Sequence, residues 1–132
     1  MVRLIKPKKT PSKLLTETEL EMMRVLWQRK EGTVHDVMDG LSAGRKLAYT
    51  SVSTILRILE QKEVVGSRKD GRGHIYFPKL GKKEYELRSL GHLMNNVFEG
   101  ETLQLVSRLL ELKDLDAKEL ENLRALLEAK GK

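Results

Sequence analysis

The stretch LAYTSVSTILRILEQKE, residues 47–63, carries two opposed stripes of side chains on one predicted helix. Its large apolar residues recur at i, i+3, i+4 and i+7, the spacing of a single helical face. They are Val52, Ile55, Leu56 and Leu59. The opposite face carries short polar residues and one arginine: Thr50, Ser53, Thr54, Arg57 and Gln61. Such a helix packs one side on a core and leaves the other for solvent or a partner.

The hydroxyl residues in the first half of this helix need a reason, because Ser and Thr are only middling helix formers. A solvated surface is one explanation. Contact with DNA is the other, since short side chains let a helix approach base edges and exchange hydrogen bonds with them. Under that interpretation Arg57 reaches a guanine edge or a phosphate, whereas Ser51 lies beside the stripe. A pair between Arg57 and Glu60 is the alternative for the arginine.

Two more helices are predicted ahead of this one. Capping-box patterns mark both starts, Thr16 with Glu19 and Thr33 with Asp36. The first helix, over about residues 17–30, is apolar around nearly its whole circumference. We therefore expect it to be buried from several directions, as the centre of a core.

A β-hairpin is predicted after the third helix, in the run SRKDGRGHIYFP, residues 67–78. Asp70-Gly71 is a dipeptide that tight hairpin turns prefer, and Pro78 ends the second strand. Lys69 and Arg72 lie at the predicted tip. They can grip a DNA backbone, although cations at a hairpin tip also serve as solvated edge protection.

Three helices followed by a hairpin is the order of a winged helix-turn-helix domain, and the fold class predicted is mainly α with a small β-hairpin wing. In such a domain the third helix enters the major groove and the hairpin contacts the backbone. The residues predicted to contact DNA are Arg45, Lys46, Thr50, Ser51, Ser53, Thr54, Arg57, Lys69 and Arg72.

The charge of the chain, +6 in total, is concentrated in its first part. Residues 1–81 hold 16 Lys and Arg against nine Asp and Glu, whereas residues 82–132 hold nine against ten. A basic front half suits a polyanionic partner. Residues 1–13, with five cations and no acid, are interpreted as a basic flexible arm, either a solubilising tail or a segment that lies along phosphates.

The segment 82–132 is predicted to form three leucine-rich helices. So few residues bury too little apolar surface to be stable alone, so we expect a second copy of the chain to complete their core. The predicted domains are thus residues 14–81, which bind DNA, and residues 82–132, which dimerise. The residues expected at the dimer interface are Leu90, Leu93, Val97, Leu103, Val106, Leu110, Leu123 and Leu126.

Several classes of protein are disfavoured. Cysteine is absent, which excludes disulfides and thiolate metal sites. No apolar run approaches the length of a membrane span, and the basic N-terminus lacks the apolar core of a signal peptide. No catalytic motif, cofactor motif or metal-binding pattern is present. We expect a cytoplasmic protein that is not an enzyme and needs no cofactor.

Four runs of sequence resemble the penicillinase repressor family, also called BlaI/MecI/CopY. They are LTETELEMMRVLW (15–27), AYTSVSTILRILEQK (48–62), KDGRGHIYFP (69–78) and LKDLDAKELENLRALL (112–127). The resemblance spans nearly everything from Leu14 to about Ala129. It implies a winged-helix repressor that binds a palindromic operator in bacterial promoters as a homodimer, with the C-terminal helices forming the dimer.

The residues of this chain can be compared with two mechanisms by which repressors of that family are released from DNA. The resemblance places Arg108-Leu109 where beta-lactam-responsive members are cut at an Asn-Phe bond, so release by the same cut is in doubt. Copper-responsive members carry a C-terminal cysteine cluster, which this chain lacks. The inducer, whether a regulatory protease or another signal, is left open. The alternative function is a winged-helix adaptor that binds protein rather than DNA.

Overall fold

The computed structural model describes residues 14–42 and 45–131, and within them the chain is mainly helical with one β-hairpin. The elements are α1 (Glu17–Arg29), α2 (Val34–Gly40), α3 (Tyr49–Gln61), β1 (Val65–Asp70), β2 (Gly73–Pro78), α4 (Lys82–Asn96), α5 (Thr102–Leu112) and α6 (Ala117–Lys130). This order confirms the predicted fold class. The predicted N-terminal arm, residues 1–13, lies outside the described residues.

The first two helices begin at the predicted capping boxes. Thr16 Oγ1 accepts a hydrogen bond from the Glu19 backbone N–H at 3.1 Å, and the Glu19 carboxylate accepts one from the Thr16 N–H at 3.0 Å. Thr33 and Asp36 repeat the arrangement at the start of α2. Each box satisfies two backbone donors that a helix start leaves without partners. Both helix starts are therefore determined by residues that are only three positions apart.

The core of the first part of the chain lies between α1, α2, α3 and the hairpin. Its fully or nearly fully buried members are Met22, Met23, Leu26, Val34, Val37, Val52, Leu56, Leu59, Val64, Val65, Tyr76 and Leu80. The expectation that α1 is buried from several directions agrees with its four buried apolar residues, which include Val25. Trp27 packs at the edge of this core, where its indole N–H donates to the Leu80 carbonyl at 2.8 Å.

The hairpin is antiparallel, with its register running from Val65 opposite Pro78 to Asp70 opposite Gly73. The two-residue turn places Gly71 first, at φ 64°. A glycine with positive φ at that position suits the type of turn that follows the twist of a hairpin.

A short bridge joins the hairpin to the connection between α1 and α2. Gly32 and Tyr76 exchange two backbone hydrogen bonds of 2.9 and 2.8 Å. The wing is therefore attached to the helical core by backbone pairing as well as by the buried Tyr76 side chain.

Helix boundaries differ slightly from the predicted ones. α3 begins at Tyr49 rather than Leu47, with Ala48 as a cap that offers no side-chain hydrogen bond. α4 ends at Asn96. The chain leaves α4 through Glu99 and Gly100, both at positive φ, and this change of direction prevents the helix from continuing.

The described residues divide into two compact units, the first ending at Leu90 and the second beginning at Gly91. The predicted boundary at residue 81 stays a prediction. Throughout α4, α5 and α6, all of which are described, no residue is buried. These helices carry many large apolar side chains, so they lack the core that such side chains normally form.

Candidate nucleic-acid interface

The outer face of α3 presents the polar stripe that the sequence predicts. In this stripe Thr50, Thr54, Arg57 and Gln61 are exposed and Ser53 is half-buried, and Ser51 beside the stripe is also exposed. Among the described residues, none of the four hydroxyls has a hydrogen-bond partner, and the helix start is capped without them. Their hydrogen-bonding capacity is thus available to a partner molecule.

Three fully buried side chains hold α3 in place: Val52, Leu56 and Leu59. An ion pair adds to them at the end of the helix, where Lys62 Nζ lies 2.9 Å from Glu19 Oε2 at the start of α1. Burial alone would raise the pKa of the Glu19 carboxyl. Hydrogen bonds from Lys62 and Thr16 outweigh burial, so the pKa lies below the ordinary value of 4.5.

Arg57 projects from the exposed face of α3 without a carboxylate partner among the described residues. The alternative partner, Glu60, instead accepts a hydrogen bond from Ser67 Oγ at 2.7 Å. Burial raises the pKa of the Tyr76 hydroxyl, with a further contribution from the Glu60 charge, and the charge of Arg57 opposes that rise. Within the described residues, no ion pair therefore neutralises the Arg57 guanidinium.

The wing divides its cations into two kinds. Lys69 and Arg72 are exposed at the tip, and neither forms an ion pair within the described part of the chain. Arg68 is different, because its two terminal nitrogens donate to both oxygens of Glu31, each at 2.8 Å. The hydrogen bond from Arg68 lowers the pKa of the Glu31 carboxyl. Arg68 braces the wing, whereas the tip cations stay available.

The two cations that precede α3 also differ. Arg45 Nε lies 2.9 Å from Glu21 Oε1, and its guanidinium also donates to Thr18 Oγ1, so the side chain lies against α1. Lys46 is exposed. The structure therefore leaves the Lys46 side chain exposed to solvent, whereas that of Arg45 is bound to α1.

Sequence reasoning missed Tyr49, the first residue of α3, whose side chain is 47% exposed. Its ring lies 5.0 Å from the His35 ring on α2, measured between centroids, at an interplanar angle of 44°. This pair extends the polar face of α3 towards α2. The only signal in the sequence was that Tyr49 precedes Ser53 by four residues, which places the two on neighbouring positions of one helix.

The geometry allows DNA contact of two kinds. Hydroxyls and a free guanidinium on one helix face match the hydrogen-bonding groups of base edges, and the exposed cations beside it match phosphates.

In residues 14–42 and 45–131, no cluster of His, Cys, Asp or Glu is arranged to hold a metal ion. No helix in the same residues combines the length and apolar character that crossing a bilayer requires.

Three helices, a hairpin and a polar third helix fixed by its buried face define a winged helix-turn-helix protein. A statistical model of the penicillinase repressor family matches residues 15–129. The chain therefore belongs to the penicillinase repressor family, as the resemblance in its sequence predicts.

Individual relatives agree with this assignment. The penicillinase repressor of Bacillus licheniformis is 29% identical over 122 residues, which is 92% of this chain and 93% of that protein. The transcriptional regulator BlaI of Mycobacterium tuberculosis is 44% identical over 71 residues, 53% of this chain and 51% of that protein. The solution structure of the DNA-binding domain of the repressor BlaI superimposes with a TM-score of 0.50 at 25% identity, covering 58% of this chain and 93% of that domain.

Proposed function

We propose that this protein is a cytoplasmic transcriptional repressor that binds a palindromic operator in double-stranded DNA as a homodimer. The observation that carries the proposal is the exposed face of α3, where four hydroxyl residues and Arg57 have no partner among the described residues. The membership of the chain in the penicillinase repressor family supports it.

Base reading belongs to α3 in this proposal. Thr50, Ser53 and Thr54 exchange hydrogen bonds with base edges or phosphates, and the threonine methyl groups contact thymine. Arg57 donates two parallel hydrogen bonds to a guanine edge, the commonest specific contact between an arginine and DNA. Ser51, at the side of the stripe, contacts the backbone.

Phosphate binding belongs to the residues around α3. Lys46 precedes the helix, and Lys69 and Arg72 occupy the tip of the wing, where they reach the backbone in or near the minor groove. Arg45 joins them only if its side chain exchanges Glu21 for a phosphate, a change that replaces one anionic partner by another. These contacts set the position of the protein and carry no sequence information of their own.

The dimer is proposed to form through α4, α5 and α6. Seven of the eight residues predicted at the interface are exposed in the single chain, among them Leu103 at 80% and Leu126 at 67%, and Leu123 is half-buried. Burying a leucine stabilises by roughly 1.5–3 kcal/mol, so leaving this set in water is unfavourable. A second copy offers the same apolar faces, and a two-fold dimer matches a palindromic operator.

Repression follows when the bound dimer excludes polymerase from the promoter. Induction by a cut at an Asn-Phe bond is not expected, because Arg108-Leu109 stands at the aligned position, in the exposed part of α5. The absence of cysteine excludes a thiolate copper switch. Release of this repressor from its operator therefore depends on proteolysis at another site or on a ligand.

Selection of bound DNA from a random pool tests the proposal and supplies the operator. The expected result is enrichment of one sequence with two inverted half-sites, spaced by about one helical turn or a multiple of it. A pool in which no sequence becomes enriched would count against DNA reading. A single half-site without its inverted copy would count against the dimer.

A further inference from the structure

A surface cavity of about 370 Å³ lies in the first unit, lined by Arg24, Trp27, Gln28 and Lys82. The first three form one stripe of α1 at the spacing i, i+3 and i+4, and Lys82 is the first residue of α4. Sites for small molecules in proteins have volumes of roughly 300–1,000 Å³, so the cavity is large enough for a small ligand. None of its four residues belongs to the proposed DNA-binding set.

Trp27 forms an apolar wall of this cavity, and its orientation is fixed. The indole N–H donates to the Leu80 carbonyl at 2.8 Å, and the Tyr85 ring lies 6.0 Å away at an interplanar angle of 36°. A fixed indole presents a flat apolar surface on which another ring can stack.

Three polar side chains converge on the same cavity. Arg24, Gln28 and Lys82 are exposed, and within residues 14–42 and 45–131 none of them forms an ion pair or a side-chain hydrogen bond. The neighbouring Arg29 is different, since it pairs with Asp36 at 3.2 Å. The two cations of the cavity thus attract an anion, and an arginine fork suits a carboxylate in particular.

We propose that this cavity binds a small organic anion that carries a flat ring, of the class of aromatic carboxylates. The carboxylate lies between Arg24 and Lys82, the ring stacks on Trp27, and the Gln28 amide hydrogen-bonds to a polar substituent or to the carboxylate. A neutral ring would leave both cations without a partner. An inorganic anion would leave the indole surface unused.

The fluorescence of Trp27 tests this site directly, because it is the only tryptophan in the chain. The full-length protein is titrated with benzoate in the absence of DNA, with free N-acetyltryptophanamide as the control for optical effects. A saturable change is expected with benzoate, and acetate and benzamide should bind at least about tenfold more weakly, a difference of about 1.4 kcal/mol. The proposal fails if benzoate gives no saturable change, or if acetate or benzamide matches it.

Two neighbouring lysines provide a matched pair of variants. Lys82→Gln should weaken benzoate binding about tenfold, because it removes a charge-assisted contact. Lys83→Gln removes the same charge from the next exposed position, which does not line the cavity, and should leave binding unchanged. If both variants weakened benzoate binding equally, the effect would reflect general electrostatic attraction rather than a contact in the cavity, and the proposal would be overturned. Because the titration contains no DNA, its result is independent of the proposed repressor function.

Discussion

Arg57 is the residue of the α3 face that best distinguishes base reading from phosphate binding. If it makes a bidentate base contact, Arg57→Ala should weaken binding to the selected operator by roughly 1–3 kcal/mol for each half-site and leave binding to random DNA nearly unchanged. Arg57→Lys should show most of the same loss, since an ammonium group cannot form the two parallel hydrogen bonds. Fluorescence anisotropy with both DNAs measures this. Equal loss on both would identify Arg57 as a phosphate contact.

Glu19 links the start of α1 to the end of α3 through its ion pair with Lys62. Because the pKa of its carboxyl is lowered, the stability that this link provides depends on pH. Its pKa in the folded chain lies below 4.5, so its contribution to stability is complete above that value and is lost as the pH falls through the lowered one. Glu19→Gln should destabilise the protein by about 1 kcal/mol at neutral pH. The difference from wild type should shrink in acid.

Urea unfolding at several pH values measures the effect of Glu19→Gln. Glu17→Gln is the matched control, because Glu17 occupies the same first turn of α1 but is exposed. A destabilisation that stays constant down to the most acidic pH would contradict the assigned ion pair with Lys62.

The wing is the element whose cations are expected to bind DNA without regard to sequence. The double substitution Lys69→Gln and Arg72→Gln should weaken binding to operator and random DNA alike. It should also reduce the slope of log affinity against log salt by about 3.6, since the dimer loses four phosphate contacts and each contributes about 0.9. Lys79→Gln with Lys83→Gln removes the same charge away from the tip, and Lys79 lies 3.9 Å from Glu63. If both double substitutions changed the slope equally, the result would contradict phosphate binding by the tip of the wing.

Elements were predicted well where their determinants are local. The capping boxes at Thr16 and Thr33 involve residues three positions apart, and the apolar stripe of α3 repeats within two turns, so both can be derived from short windows of sequence. Side-chain pairs across the fold could not be derived in this way. Arg45 with Glu21, and Arg68 with Glu31, join residues brought together only by packing, and they decide which cations stay available.

The apolar faces of α4, α5 and α6 are the feature of the whole molecule that the single chain leaves unexplained. Sedimentation should show a mass near two chains. Leu103→Glu should raise the dissociation constant of the dimer at least about a hundredfold, because it buries an unpaired charge in the interface. Gln104→Glu adds the same charge at the next exposed position of α5 and should have little effect. A folded monomer at all concentrations of the wild type would refute the dimer.

The central claim is that this molecule reads DNA through α3 and holds it through the cations around that helix. The salt dependence of its affinity for operator DNA tests this most directly. Six or more phosphate contacts from two copies of the chain should lower the affinity about a thousandfold or more between 50 and 200 mM salt. Absence of binding at low salt, or an affinity that does not change with salt, would contradict the account.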